Sequence, residues 1–212
     1  PLSPVFLAPA CYRRHPGMRR GTGRAMTSLL FAMVASFLAA TGARDQLLVA
    51  RLSAALGPST ALLAIALVSS AITAGIAAWF GARLAETMSE NAATMFVAIA
   101  LLLAAFECAW RNREKTPKEP TRSLGAIAIV LFARQLTDAS RFLIAAFAVV
   151  FASWPLAGFG GALGGGAAVA IGWAMNSALE QRLPLRPIRI GLALALFVLA
   201  SITGLTARGI IA

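Results

Sequence analysis

Asp138 lies in the stretch "QLTDASRFLIAAFAV" at 135–149, where Gln135, Thr137 and Ser140 surround it with an amide oxygen and two hydroxyls inside an otherwise apolar run. Oxygen donors at that density suit a hard cation, and a carboxylate set in apolar sequence can also carry a proton. The stretch "ATGARDQLLVARLSA" at 40–54 repeats the pattern, with Asp45 and Gln46 as its oxygen donors and Arg44 beside them. Ionisable groups are costly in hydrocarbon, so two corresponding polar interruptions point to an internal polar site rather than to lipid-facing positions. The expected cation-binding set is Asp138, Gln135, Ser140, Asp45 and Gln46, with Asp138 as the metal ligand. Arg134 and Arg141 are within i±4 of Asp138 on a helix, so either can hold its carboxylate in an ion pair when the site is empty, and Arg44 is a third gating candidate. The bland alternative for the first stretch is a solvated helix end, with Asp45 and Arg51 at the membrane surface.

These stretches sit in a chain that is 59% hydrophobic and 13% charged, with a mean hydropathy of +0.78. One water-soluble core of 212 residues cannot absorb that much apolar surface, so a multi-pass protein of the cell membrane, in contact with the lipid bilayer, is expected. The formal charge of +11 comes from Lys and Arg clustered in short connections between apolar runs, as topology signals are. No groove-reading motif accompanies them, and no nucleic-acid partner is expected. Cys11 and Cys108 lie far apart in different kinds of segment and show neither a disulfide framework nor the paired spacing of a zinc site. Without a Ser/His/Asp set, a His-Glu-x-x-His pattern or clustered Cys and His, neither enzymatic activity nor a cofactor is expected. The sole histidine, His15, lies in the N-terminal tail, away from the other polar residues.

The elements that must position the two stretches follow from the apolar runs. Residues 1–24 are rich in Pro and Arg and read as a disordered tail, with Met18 or Met26 as candidate initiators. Ala25 to Ala43 carries no charge and matches one crossing of the hydrocarbon core. Further runs cover Thr60 to Ala82 and Asn91 to Trp110, with Glu107 one turn before Arg111 and expected to pair with it. A charged connection at 111–122 divides the chain. The run from Ser123 to Ser153 is too long for one straight crossing and is expected to kink or break near Asp138. A Gly-rich run from Pro155 through Trp173 to Leu179 follows, and a last span covers Ile188 to Thr206. Gly160 with Gly164, and Gly161 with Gly165, make small-xxx-small spacings that favour close helix packing. Arg182, Arg186 and Arg189 fall on the same side as 111–122, which is expected to be cytoplasmic.

The expected fold is thus an all-α membrane protein of six transmembrane helices, arranged as two inverted three-helix repeats at 25–110 and 123–212. "AAWFGARLAE" ending at Glu86 parallels "IGWAMNSALE" ending at Glu180, and an odd number of spans per half makes the second copy enter the membrane in the opposite sense.

At the two stretches the sequence resembles the GDT family of membrane cation/proton exchangers, the Golgi and chloroplast manganese and calcium transporters and bacterial manganese exporters, which carries E-L-G-D-[KR]-[ST]-Q twice. Aligned to it, the first copy reads Ala40, Thr41, Gly42, Ala43, Arg44, Asp45, Gln46 and the second Gln135, Leu136, Thr137, Asp138, Ala139, Ser140, Arg141. The resemblance implies exchange of a divalent cation, Mn²⁺ or Ca²⁺, for protons at a site between the repeats. It also implies that the motif carboxylates bind the cation. Asp138 stands at its family position, Gln135 keeps an oxygen there, and Ala40 and Ala43 supply no ligand. Asp45 falls where the family has Ser or Thr, about 200° away along a continuous helix. The competing expectation is a divergent, non-transporting scaffold or partner subunit of the same fold.

Overall fold

The structure, a computed structural model, describes residues 17–57, 59–110 and 123–210. All regular structure among them is helical: α1 (Gly17–Ala40), α2 (Arg44–Leu56), α3 (Thr60–Thr87), α4 (Glu90–Ala109), α5 (Leu124–Leu136), α6 (Ala139–Phe151), α7 (Trp154–Met175), α8 (Ala178–Arg182) and α9 (Leu185–Ala207). Four of these, α3, α4, α7 and α9, are each long and apolar enough to cross a bilayer, and α1 with α2 passes the same test as a pair bent by 60°. The chain is therefore a helical, multi-pass membrane protein. Helix α1 begins at Gly17, so residues 17–24 of the expected tail are helical; residues 1–16 and the connection at 111–122 lie outside the described residues.

Local chemistry explains where helices start and stop. Ser89 and Ser123 cap α4 and α5 by accepting hydrogen bonds from the N–H groups of Ala92 and Ala126, both at 3.4 Å. Pro155 occupies the first turn of α7, where no intrahelical donor is lost. The long Ser123 to Ser153 run breaks as expected, between Leu136 and Ala139, leaving α5 and α6 at 13 residues each. Either is roughly 20 Å long, too short to cross alone.

The first break was not anticipated. Ala25 to Ala43 reads as one uninterrupted span, but α1 ends at Ala40 and the chain turns through Gly42 at φ +72°. Only glycine adopts that conformation freely, and a Cβ there would also press to 3.2 Å from Arg189 Cδ and Leu185 Cβ. The parallel between "AAWFGARLAE" and "IGWAMNSALE" also ends at the backbone. Trp79 to Glu86 lies within the single helix α3, whereas Asn176, at φ 52°, separates Trp173 in α7 from Glu180 in α8.

The helices pack with a small-residue interior and a bulky apolar exterior. Helix α7 lies centrally between α1 and α3, α6 crosses α1, α3 and α4, and α4 pairs with α9. Buried positions are mainly alanine, serine and glycine, while Ile129, Leu194, Phe106 and Phe197 project outward. That inversion suits contact with lipid, where packing rather than exclusion from water holds helices together. The two glycine spacings serve different neighbours: a Cβ on Gly160 or Gly164 would strike the α1 backbone at Leu29 or Met33. One on Gly161 would strike the Ile144 side chain, and one on Gly165 would lie 3.1 Å from Ser70 Oγ.

Candidate functional site

Both helix breaks carry a carboxylate at the start of the helix that follows. Asp138 is the N-cap of α6, and its Oδ2 accepts from the Ser140 N–H at 3.1 Å and from the Ser140 hydroxyl. Asp45 is in the first turn of α2, and its Oδ1 accepts from the Gln46 N–H at 2.8 Å. Carboxylates are favoured there because the first helical N–H groups lack intrahelical partners. Both are almost wholly buried, at 3% exposure for Asp45 and 4% for Asp138. They are also close enough to feel each other's charge, and Asp45 is faced as well by Arg141 and the Gln135 amide. Along an unbroken helix Asp45 would point about 200° from the family's carboxylate position, but the turn at Gly42 interrupts the helix and lets Asp45 face the second motif.

Arg141 supplies the countercharge. It is buried in α6 and spends its donors on hydroxyls: Nε to Thr73 Oγ1 at 2.9 Å, Nη1 to Ser140 Oγ at 2.7 Å and Nη2 to Ser70 Oγ at 3.2 Å. It meets Asp138 through Ser140, not by direct contact. Gly165 of α7 packs on this guanidinium, with an added Cβ only 3.2 Å from Nη1. Were both carboxylates ionised, they would outnumber the one arginine between them in a region where charge is expensive, the condition under which a proton or a cation is held.

The other expected ligands divide. Gln135 is fully buried; its Nε2 donates to the Ala66 carbonyl at 3.4 Å, while its Oε1 has no hydrogen-bond partner among the described residues and remains an available acceptor. Ser140 links Asp138 to Arg141. Gln46 is committed elsewhere, since its Nε2 donates to the Ala168 carbonyl of α7 and its Oε1 accepts from the Gly42 N–H, both at 2.6 Å. It closes the first break and pins it to α7, where Gly172 leaves room; a Cβ there would sit 2.8 Å from Gln46 Cγ. Replacing Gln46 with alanine should leave the Ala168 carbonyl and Gly42 N–H without these partners, costing about 1–3 kcal/mol, measurable as a lower Tm of the detergent-solubilised protein.

Of the arginines expected to gate the site, Arg141 takes part. Arg134 is half-buried in the last turn of α5. Arg44, at 39% side-chain exposure, turns to Glu107 at 3.5 Å.

Comparison with protein-family models, curated proteins and solved structures returns no match.

Several functional residues were missed. Ser70 and Thr73 belong to a short buried polar patch, with Ser69, inside apolar α3, and only Arg141 on the neighbouring helix shows what two of these hydroxyls bond to. Glu107 was expected to pair locally with Arg111, which lies outside the described residues. The side chain is buried and its Oε2 accepts from Arg189 Nη2 at 2.8 Å. Arg189, expected as an aqueous topology charge, is only 5% exposed and also donates to the Glu107 carbonyl at 3.0 Å. Asp138 is among the charges that Glu107 feels. Among the described residues, no three His, Cys, Asp or Glu side chains are grouped to hold a metal ion.

Proposed function

We propose that this protein is a secondary transporter that exchanges a cation for protons, a divergent relative of the GDT exchangers built as six spans in two inverted repeats. In this reading α1–α2, α3 and α4 form one repeat, and α5–α6, α7 and α9 the other. The packing supports it: α1 lies on α7 as α5 lies on α3, and α3 lies on α6 as α7 lies on α2. Gln46 reaching a carbonyl of α7 and Arg141 reaching a carbonyl of α3 make a further matched pair.

The observation that carries the proposal is the burial together of Asp45 and Asp138, each at the head of a helix that starts from a break, beside a single arginine. Asp138 is the shared carrier of proton and cation, Asp45 and the free Gln135 oxygen complete the coordination, and Arg141 balances the empty site through Ser140. With two carboxylates and an arginine, affinity for Mn²⁺ or Ca²⁺ is expected to be weaker than with four carboxylates. Transport proceeds as one repeat rocks against the other about this site.

The test is uptake of Mn²⁺ or Ca²⁺ into proteoliposomes under an imposed pH gradient. Wild-type protein should give flux above empty vesicles, and Asp138→Asn should lower it by at least tenfold; unchanged flux in the variant overturns the assignment. A scaffold or partner subunit is the second reading, favoured by the hydroxyl-saturated Arg141 and the lack of a three-ligand metal group among the described residues. Wild-type flux no greater than that of empty vesicles, with stable co-purification of another membrane protein, decides for it.

A further inference from the structure

A cavity of about 500 Å³ opens between the end of α4, the first two turns of α2 and the connection from α8 to α9. Its polar lining is dominated by Arg51, Arg186 and Arg189, with Glu180 the carboxylate among them, and Trp110, Pro184 and Ile190 contribute apolar walls. Arg51 is held across the rim by Glu180, Nε to Oε1 at 2.7 Å. Arg189 is tied through Nη2 to Glu107, yet its buried Nε has no hydrogen-bond partner among the described residues. Arg186 is exposed, with no carboxylate partner among the described residues. With Arg44 on Glu107, four guanidinium groups stand against Glu107 and Glu180 at this corner of the fold.

An unsatisfied buried guanidinium N–H, an unpaired arginine and an aromatic wall at the end of a membrane-spanning bundle form a receptor for an anion carried on an apolar body. Arginine is suited to phosphate because its planar donors match two oxygens at once. We propose that this cavity binds a phosphate-bearing anion, with Arg186 and Arg189 as the primary contacts and Trp110 against the ligand's apolar part. Such a phosphate has two sources, the headgroup of an anionic phospholipid or a phosphate free in water. The cavity does not include Asp45 or Asp138, and its occupancy can be tested without transport.

The experiment uses the full chain in detergent, titrated with phosphatidylglycerol or with phosphatidylcholine of the same acyl chains, and read by native mass spectrometry and by Tm. Phosphatidylglycerol should be retained and raise Tm while phosphatidylcholine does neither. Arg186→Gln should weaken retention about tenfold, the loss of one charge-assisted contact. Arg208→Gln, at the far end of α9, should leave it unchanged. Competition by inorganic phosphate assigns the aqueous source; retention of the lipid despite millimolar phosphate assigns the headgroup. Because Arg186 is exposed, its replacement is expected to leave the fold intact, which an unchanged gel-filtration profile checks. The proposal is overturned if neither phosphatidylglycerol nor phosphate binds. Equal retention of the two lipids with no effect of inorganic phosphate on either, or equal weakening by Arg186→Gln and Arg208→Gln, overturns it as well.

Discussion

Arg141→Met should be among the most damaging single substitutions in this protein, lowering stability by about 3–5 kcal/mol, because it leaves buried carboxylates without their countercharge. Arg141 is 3% exposed and its charge faces both Asp45 and Asp138. Methionine fills much of the same volume, so the loss is electrostatic and hydrogen-bonding rather than a cavity. Ser70, Thr73 and Ser140 would each lose a donor at the same moment. The diagnostic measurement is a double-mutant cycle: adding Asp138→Asn should return a substantial part of the lost Tm, since the second change removes a charge that the first left unpaired. Additive losses would mean that Arg141 matters for packing alone.

Gly164→Leu should be comparably severe for a different reason. A Cβ at this position would strike the Met33 carbonyl and lie 2.8 Å from Ser36 Oγ, and a backbone carbonyl inside a helix cannot swing aside as a side-chain tip does. Helices α1 and α7 would have to separate along a contact that also includes Gly160 against Leu29. The cost should reach or exceed the upper end of the about 1–3 kcal/mol typical of overpacking. Gly75→Leu, on α3 where an added Cβ meets nothing within 4 Å, is the matched control and should change Tm little. Thermal unfolding of both variants in one detergent compares a built contact with glycine content alone.

The sequence revealed the second helix break but not the first, and the difference is one of length. The run from Ser123 to Ser153 overfills a bilayer and so has to yield somewhere, with Thr137 and Asp138 the weakest helix formers near its middle. Ala25 to Ala43 fits one crossing comfortably, and the signal for its break was Gly42, a single glycine among alanines. Within the candidate site, the carboxylates and Arg141 were legible because charge in an apolar run is conspicuous. The hydroxyls of α3 were not, because serine and threonine are ordinary in apolar helices and only tertiary contact distinguishes these positions. The Arg189 partner of Glu107 was hidden for a related reason: local pairing at i, i+4 is visible in sequence, while a partner on α9 is not. Gln46 looked like a ligand by its place in the motif, but both ends of its amide are occupied by backbone groups.

The relay from Arg141 through Ser140 to Asp138 has a direction. Arg141 can only give hydrogen, Ser140 receives on its oxygen and passes its own hydrogen onward, and the carboxylate is where the line terminates. A proton arriving at that oxygen would meet a hydroxyl already pointing at it, and one of the two would have to turn away. The nearest surroundings that would register the turn are Thr73 and Ser70 of α3, tied to the same guanidinium. In the proposed cycle, taking up a proton at Asp138 would disturb the hydroxyl that joins it to Arg141, whose other donors tie α6 to α3, so chemistry at a single atom would bear on how two helices hold each other.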